Sequence, residues 1–153
     1  MAIDRERLEF LKRDSVQGFT QFIGLTPVSL KPGEFTTRVK LEGHHLQQDG
    51  FVHAGVIATM ADHTAGYAAY SLVPEDQRIL TIEYKINYLQ LAKGRLLECK
   101  AWVLRSGKQV LITEAEVYSF IGTARTLVAK AMHTMASVPD ERVTQRKRQR
   151  PSP

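Results

Sequence analysis

The sequence predicts an α+β domain in which a long antiparallel sheet wraps around one buried central helix. Three observations carry this expectation. The run from His53 to Leu72 is dense in alanine and glycine and punctuated by Val56, Ile57, Met60 and Leu72. Its length and alanine content are those of a helix, and its scarcity of large polar side chains predicts burial on several sides. Beyond it, four segments alternate apolar and polar residues with period two, the mark of half-buried strands. The breaks between them, Lys93-Gly94, Ser106-Gly107-Lys108 and Ile121-Gly122-Thr123, are spaced as hairpin turns, which would make the four strands a meander.

Taken in order, residues 4–21 read as an amphipathic helix. Asp4 is its N-cap, and Leu8, Phe10, Leu11 and Val16 form its apolar side. Two short strands follow, over 24–30 and 34–41, separated by the turn signal Lys31-Pro32-Gly33. Residues 42–52 are polar and glycine-containing, and read as a loop before the central helix. After a second loop at 73–77, Ile82, Tyr84, Ile86 and Tyr88 alternate with Thr81, Glu83, Lys85 and Asn87. Leu97, Cys99, Ala101 and Val103 then alternate with Glu98, Lys100 and Trp102. Thr113, Ala115 and Val117 mark the next strand, and Leu127, Ala129 and Ala131 the last. One helix enclosed by a curved antiparallel sheet satisfies this order of elements.

The chain's 153 residues suit a single domain with a real core. With 43% hydrophobic and 24% charged residues, its composition is that of a soluble globular protein. The single cysteine, Cys99, excludes an intramolecular disulfide. The charged start Met1-Ala2-Ile3-Asp4-Arg5-Glu6-Arg7 is not a secretory signal. No apolar run approaches the ~18 residues of a membrane span, so a cytoplasmic location is expected. The net charge of +5 is unevenly distributed: Arg142, Arg146, Lys147, Arg148 and Arg150 outweigh Asp140 and Glu141 in the last seventeen residues. The expected division is therefore a folded domain over 1–136 and a basic, disordered tail over 137–153. Without interleaved aromatics or a folded basic face, that tail does not predict a nucleic-acid partner. His44-His45 and His63 lack the spacing of a zinc site, so no metal is expected.

The residues around the start of the central helix resemble a known family. Asp49-Gly50-Phe51-Val52-His53-Ala54-Gly55, then Met60-Ala61-Asp62, then Ala65-Gly66-Tyr67-Ala68 follow the pattern of the hotdog-fold acyl-CoA thioesterases of the phenylacetate-pathway type. That pattern has an Asn, His-Gly-Gly six residues on, and an acid nine residues after the His. A second block, from Thr81 to Leu89 followed by Ala92-Lys93-Gly94, resembles the family's next strand. The resemblance covers residues 20–136. Three positions depart from it: Gln47 stands for the Asn, Ala54 for the first Gly of His-Gly-Gly, and Leu91 for a Pro.

The resemblance implies hydrolysis of an acyl-CoA thioester, with coenzyme A as part of the substrate and no further cofactor. Such hydrolysis needs donors for the developing oxyanion and a base or nucleophile for the attack. Ala54 and Gly55 N–H at the helix start are the expected donors. Asp62 is the carboxylate, either activating water or attacking directly. The resemblance gives Gln47 the role of orienting the thioester or the water, and Thr81 that of holding the water. His53 is expected to fix the helix start rather than act as a base. Lys93 and Arg95 are candidates for the coenzyme A phosphates, and Tyr67, with Tyr70 and Trp102, for the core or the acyl pocket. Asp62 lies eight residues beyond Ala54, ~12 Å along a helix, so one helix cannot present both to one carbon. The resemblance resolves this with a homo-oligomer, a dimer or dimer of dimers, whose sites combine one subunit's helix start with the other's acid. A hotdog hydratase would need a catalytic His–acid pair that the sequence lacks. A non-catalytic acyl-CoA-binding or sensor protein is the rival from another class, and fold alone does not separate it from an enzyme.

Overall fold

The computed structural model describes residues 4–141. Six strands form one antiparallel sheet in the order β1-β2-β4-β5-β6-β3: β1 Leu25–Lys31, β2 Glu34–Lys40, β3 Gln77–Tyr88, β4 Leu96–Ser106, β5 Val110–Ile121 and β6 Ala124–Pro139. Helix α3, Ala54–Tyr70, packs against the sheet and contributes Ile57, Met60, Ala61, Ala65, Ala68 and Ala69 to the core. Phe35, Leu97, Leu111, Val117 and Met135 meet it from the strands. Small side chains on the buried face let the sheet close around α3, and Thr64 is accepted there because its hydroxyl bonds that of Thr37 at 2.7 Å.

The N-terminal helix is shorter than its apolar pattern predicts. Helix α1 runs from Arg5 to Asp14, with the Asp4 carboxylate accepting the Glu6 N–H at 3.2 Å. It stops at Ser15, whose hydroxyl donates to Lys12 O at 2.7 Å. Gly18, at φ 57°, turns the chain into the short helix α2, Phe19–Phe22. The polar loop at 42–52 contains a 3-10 turn over Gly43–His45 and a bridge between Leu46 and Val52.

The expected four-strand meander is not formed. Strands β4, β5 and β6 follow one another as hairpins, but β3 lies at the far edge, paired with β6 from Gln77↔Pro139 to Tyr88↔Ala129. The Lys93-Gly94 break belongs to a crossing connection, not a hairpin. Leu89 N–H donates to Val128 O on β6 at 2.8 Å, Lys93 N–H approaches Ser119 Oγ on β5 at 3.4 Å, and Arg95 O accepts Leu41 N–H at 2.8 Å beyond β2. Gly94, at φ 94°, passes so close to β5 that a Cβ would lie 1.8 Å from Phe120 O. Only glycine fits this crossing.

Burial also departs from expectation in three places. On β3, Ile82, Tyr84 and Tyr88 are exposed, Ile82 at 59%, because this strand has a neighbour on one side only. Helix α3 buries one face, while Ala54, Gly55, Asp62 and Gly66 stay open or half-open. Glu98, on the polar side of β4, is buried, with Arg38 Nε at 2.8 Å from its Oε2. The expected domain boundary at 136 falls within β6, which continues to Pro139. The basic residues from Arg142 onward lie outside the described residues. No helix among those described is long and apolar enough to cross a membrane.

Candidate active site

Asp62 sits in the middle of α3, half-buried, and Thr81 of β3 donates its hydroxyl to Asp62 Oδ1 at 2.8 Å. A bulge between Thr81 and Glu83 interrupts the β3–β6 register here. The Thr81 hydroxyl also lies 3.3 Å from Met135 Sδ. Asp62 and Thr81, nineteen residues apart in sequence, therefore form one unit. Asp62 Oδ2 has no hydrogen-bond partner among the described residues.

The pair opens into a cleft of about 470 Å³ that Phe10, His63, Tyr67, Tyr70 and Arg78 also line. Helix α1 closes one side of it. Tyr67 donates its hydroxyl to Asp14 Oδ2 at 2.7 Å, and His63 Nε2 lies 2.7 Å from Ser15 O. Burial, reinforced by the bond to Asp14, raises the Tyr67 pKa, so this phenol stays protonated. Burial lowers the His63 pKa, against smaller opposing effects of the Ser15 carbonyl and of Asp62 and Asp14. A neutral His63 donates one N–H to Ser15 O. Tyr67 and Tyr70 thus line the cleft. Trp102 does not: it packs beneath Lys130, 5.7 Å from the ring centroid to Nζ.

The helix start is a second, separate group. His53 is the N-cap of α3, with its Nδ1 accepting the Gly55 N–H at 2.8 Å. His53 thus holds the first turn of the helix, and its bond alters the donor pair. Gly55 N–H is already engaged, whereas Ala54 N–H has no partner among the described residues. Gly55 is glycine for steric reasons, since a Cβ there would lie 2.9 Å from His53 Nδ1. A histidine two residues before a glycine at a helix start is the local sequence signal for such a cap. Gln47 is half-buried nearby, its backbone N–H bonded to Phe51 O at 2.8 Å, and its side-chain amide has no partner among the described residues. The Tyr88 hydroxyl reaches Ala54 O at 3.2 Å, which ties the end of β3 to the helix start.

Within one chain, then, the carboxylate and the helix-start donor do not converge. They occupy one helix more than two turns apart, ~12 Å along its axis. Lys93 and Arg95 are exposed on the β3–β4 connection, away from the Asp62 cleft. Cys99 is fully buried, and burial raises its thiol pKa far from a reactive thiolate.

Comparisons with known proteins bear on this arrangement. The thioesterase superfamily model matches residues 49–130, which hold the helix start, Asp62 and Thr81. A Halobacterium salinarum protein provisionally named an esterase is 32% identical over 113 residues, covering 70% of this chain and 74% of its own. Human acyl-coenzyme A thioesterase 13 is 27% identical over 120 residues, 77% of this chain and 84% of its own. A thioesterase family protein of Silicibacter pomeroyi has a solved structure that superposes with a TM-score of 0.83 at 30% identity, covering 86% of this chain and 98% of that one. On the matched residues and on the fold together, the chain belongs to the thioesterase superfamily, and its helix-enclosing sheet is the hotdog fold.

Proposed function

We propose that the protein hydrolyses an acyl-CoA thioester to the free acid and coenzyme A, working as a homodimer or a dimer of dimers with shared sites. The observation that carries this reading is the Thr81–Asp62 hydrogen bond, 2.8 Å long, on the same helix as an unengaged Ala54 N–H. Each site combines Ala54 N–H and the Gln47 amide of one subunit with Asp62 of the partner subunit. The Ala54 N–H, at the positive end of the helix dipole, takes the thioester oxygen as its charge grows. Asp62 delivers the attack, by taking a proton from water or by adding to the carbonyl carbon itself. The C–S bond then breaks and coenzyme A leaves as the thiolate, which takes the proton released by the attacking water. On the direct route that water attacks the Asp62–acyl anhydride in a second step, freeing the acid and restoring the carboxylate. Thr81 holds Asp62 or its water in line, and the cleft beside Tyr67 takes the acyl group. Lys93 and Arg95 are available to the coenzyme A phosphates.

Two features support the pairing of chains. The open face of α3 leaves room for a second helix, and the outer strand β3 exposes Leu80, Ile82, Tyr84 and Tyr88. An apolar strand edge of this kind is stable when another strand covers it. The chemistry calls for no cofactor, and the lone, buried Cys99 fits a reducing cytoplasm.

Coenzyme A release from phenylacetyl-, benzoyl-, hexanoyl- and palmitoyl-CoA, followed with a thiol reagent, tests the reading. Asp62→Ala is expected to reduce turnover by about 100-fold or more, ~2.7 kcal/mol of barrier. Binding of acyl-CoA without turnover by the wild type would instead make the protein a non-catalytic acyl-CoA binder.

A further inference from the structure

His133 of β6 is 1% exposed, and neither of its ring nitrogens has a hydrogen-bond partner among the described residues. Its register partner on β5 is Thr113, fully buried, whose hydroxyl is unpartnered as well. On the other side its register partner on β3 is Tyr84, with ring centroids 5.2 Å apart. Three orphaned polar atoms thus sit together in the core, where leaving a buried polar group without a partner is destabilising. Purely structural packing would place Phe and Val at these two positions.

The cluster adjoins the carboxylate. Met135, two residues along β6 from His133, touches the Thr81 hydroxyl that binds Asp62. The Asp62 charge reaches His133 and favours its protonation, while burial, the larger effect, keeps the ring neutral. Around His133, α3 contributes Asp62 and β3 contributes Tyr84 as titratable groups, and β5 contributes only the Thr113 hydroxyl.

We propose that His133 is a positioning residue for the hydrolysis, holding Asp62 in its attacking orientation through a buried water that it shares with Thr113. This inference rests on the thioesterase reading above. A neutral imidazole has one donor and one acceptor nitrogen. The donor side reaches Asp62 Oδ2 through the water, while Thr81 holds Oδ1. The Thr113 hydroxyl is a further partner of that water. A water with about three polar partners is the usual resident of such a site. Asp62 would then be held at both oxygens, so its geometry is set before substrate arrives.

Apolar variants separate this role from packing. Thr113→Val keeps the volume and His133→Phe enlarges the ring modestly, while each removes polar atoms from the core, so the unfolding midpoint should change little. Outer partners of a catalytic group are typically worth ~10–100-fold in activity. His133→Phe should therefore lower kcat by about tenfold or more with KM unchanged, and Thr113→Val should lower it less. His133→Gln, which keeps a donor and an acceptor, should recover most of the loss. Unchanged kcat in His133→Phe would overturn the proposal, as would a loss of kcat that tracks a fall in stability or that Gln does not rescue. If His133→Phe does not fold, unchanged kcat in Thr113→Val overturns it. A wild type with no turnover would instead overturn the thioesterase reading. In that case the 15N resonances of the His133 ring decide the coupling: they should shift in Asp62→Asn, and their constancy would remove the connection between the two residues.

Discussion

The two edges of the sheet are built differently. Strand β1 is short, with seven residues, and includes Pro27, which has no N–H to offer. These are the devices by which an edge strand refuses a neighbour. Strand β3 has twelve residues, no proline, and exposed Leu80, Ile82, Tyr84 and Tyr88. The same chain therefore closes one edge and leaves the other ready for pairing. The open edge is the one that carries Thr81, bonded to Asp62, and Tyr88, bonded to the helix start. In the proposed dimer, assembly and chemistry share one strand, which lets a helix that keeps its donor and its carboxylate two turns apart serve a single reaction.

The sharpest way to break this contrast is to divide the site between two defective chains. Ala54→Pro removes the N–H at the first helical position, where proline is tolerated, and the preceding His53 already has the extended ψ of 132° that proline favours. Ala54→Pro and Asp62→Ala should each be ~100-fold impaired alone. Co-expressed, they should recover about a quarter of wild-type activity, because half the random dimers carry one intact site. Failure of recovery would mean that both groups act within one chain. A second, smaller effect concerns the edges themselves. Leu80→Lys with Ile82→Lys should turn the assembly into monomers in sedimentation and lower activity in proportion, whereas Val28→Lys on β1 should do neither. The smallest effect is on pH and stability. His63 and His133 both have folded pKa values below 6.5 because of burial. Below about pH 6.5 the unfolded chain takes up protons that the folded chain refuses, so stability falls as pH falls from 7 toward 5. The unfolding midpoint should decline by a few degrees over that range, and by less in His133→Phe.

Much of this was legible because it is local. The alanine-rich run set α3, the alternation set β4 and β5, and Asp62 stood out on a helix with few other polar groups. Residues Lys31-Pro32-Gly33 and Ser106-Gly107-Lys108 marked real turns. What escaped was non-local. Alternation shows that β3 is a strand but not that its neighbour is β6, since period two is blind to strand order. For the same reason Tyr84 and Tyr88 read as buried although the chain alone leaves them open. The place of Thr81 at the site, as a holder of water, came from resemblance, and its bond to Asp62 had no signal in the sequence. The His133–Thr113 cluster requires the register of three strands and had no signal in the sequence. The Gly55–His53 cap is different: two residues apart, it was within reach of sequence reasoning.

The strand order also sets a schedule. Strand β3 leaves the ribosome well before β6, its only neighbour within the chain, because the whole of β4 and β5 must be made in between. At roughly 5–20 residues per second, the residues from Leu89 to Thr123 take about 2–7 s to synthesise. During that interval the most adhesive strand of the molecule is unpaired on both sides. The nascent sheet cannot close until its last strand arrives, and in the proposed dimer the outer edge of β3 is then covered by a second finished copy. A chain stalled or truncated before Ala124 would present β3 with no partner at all, which makes such fragments the species of this protein most prone to aggregate.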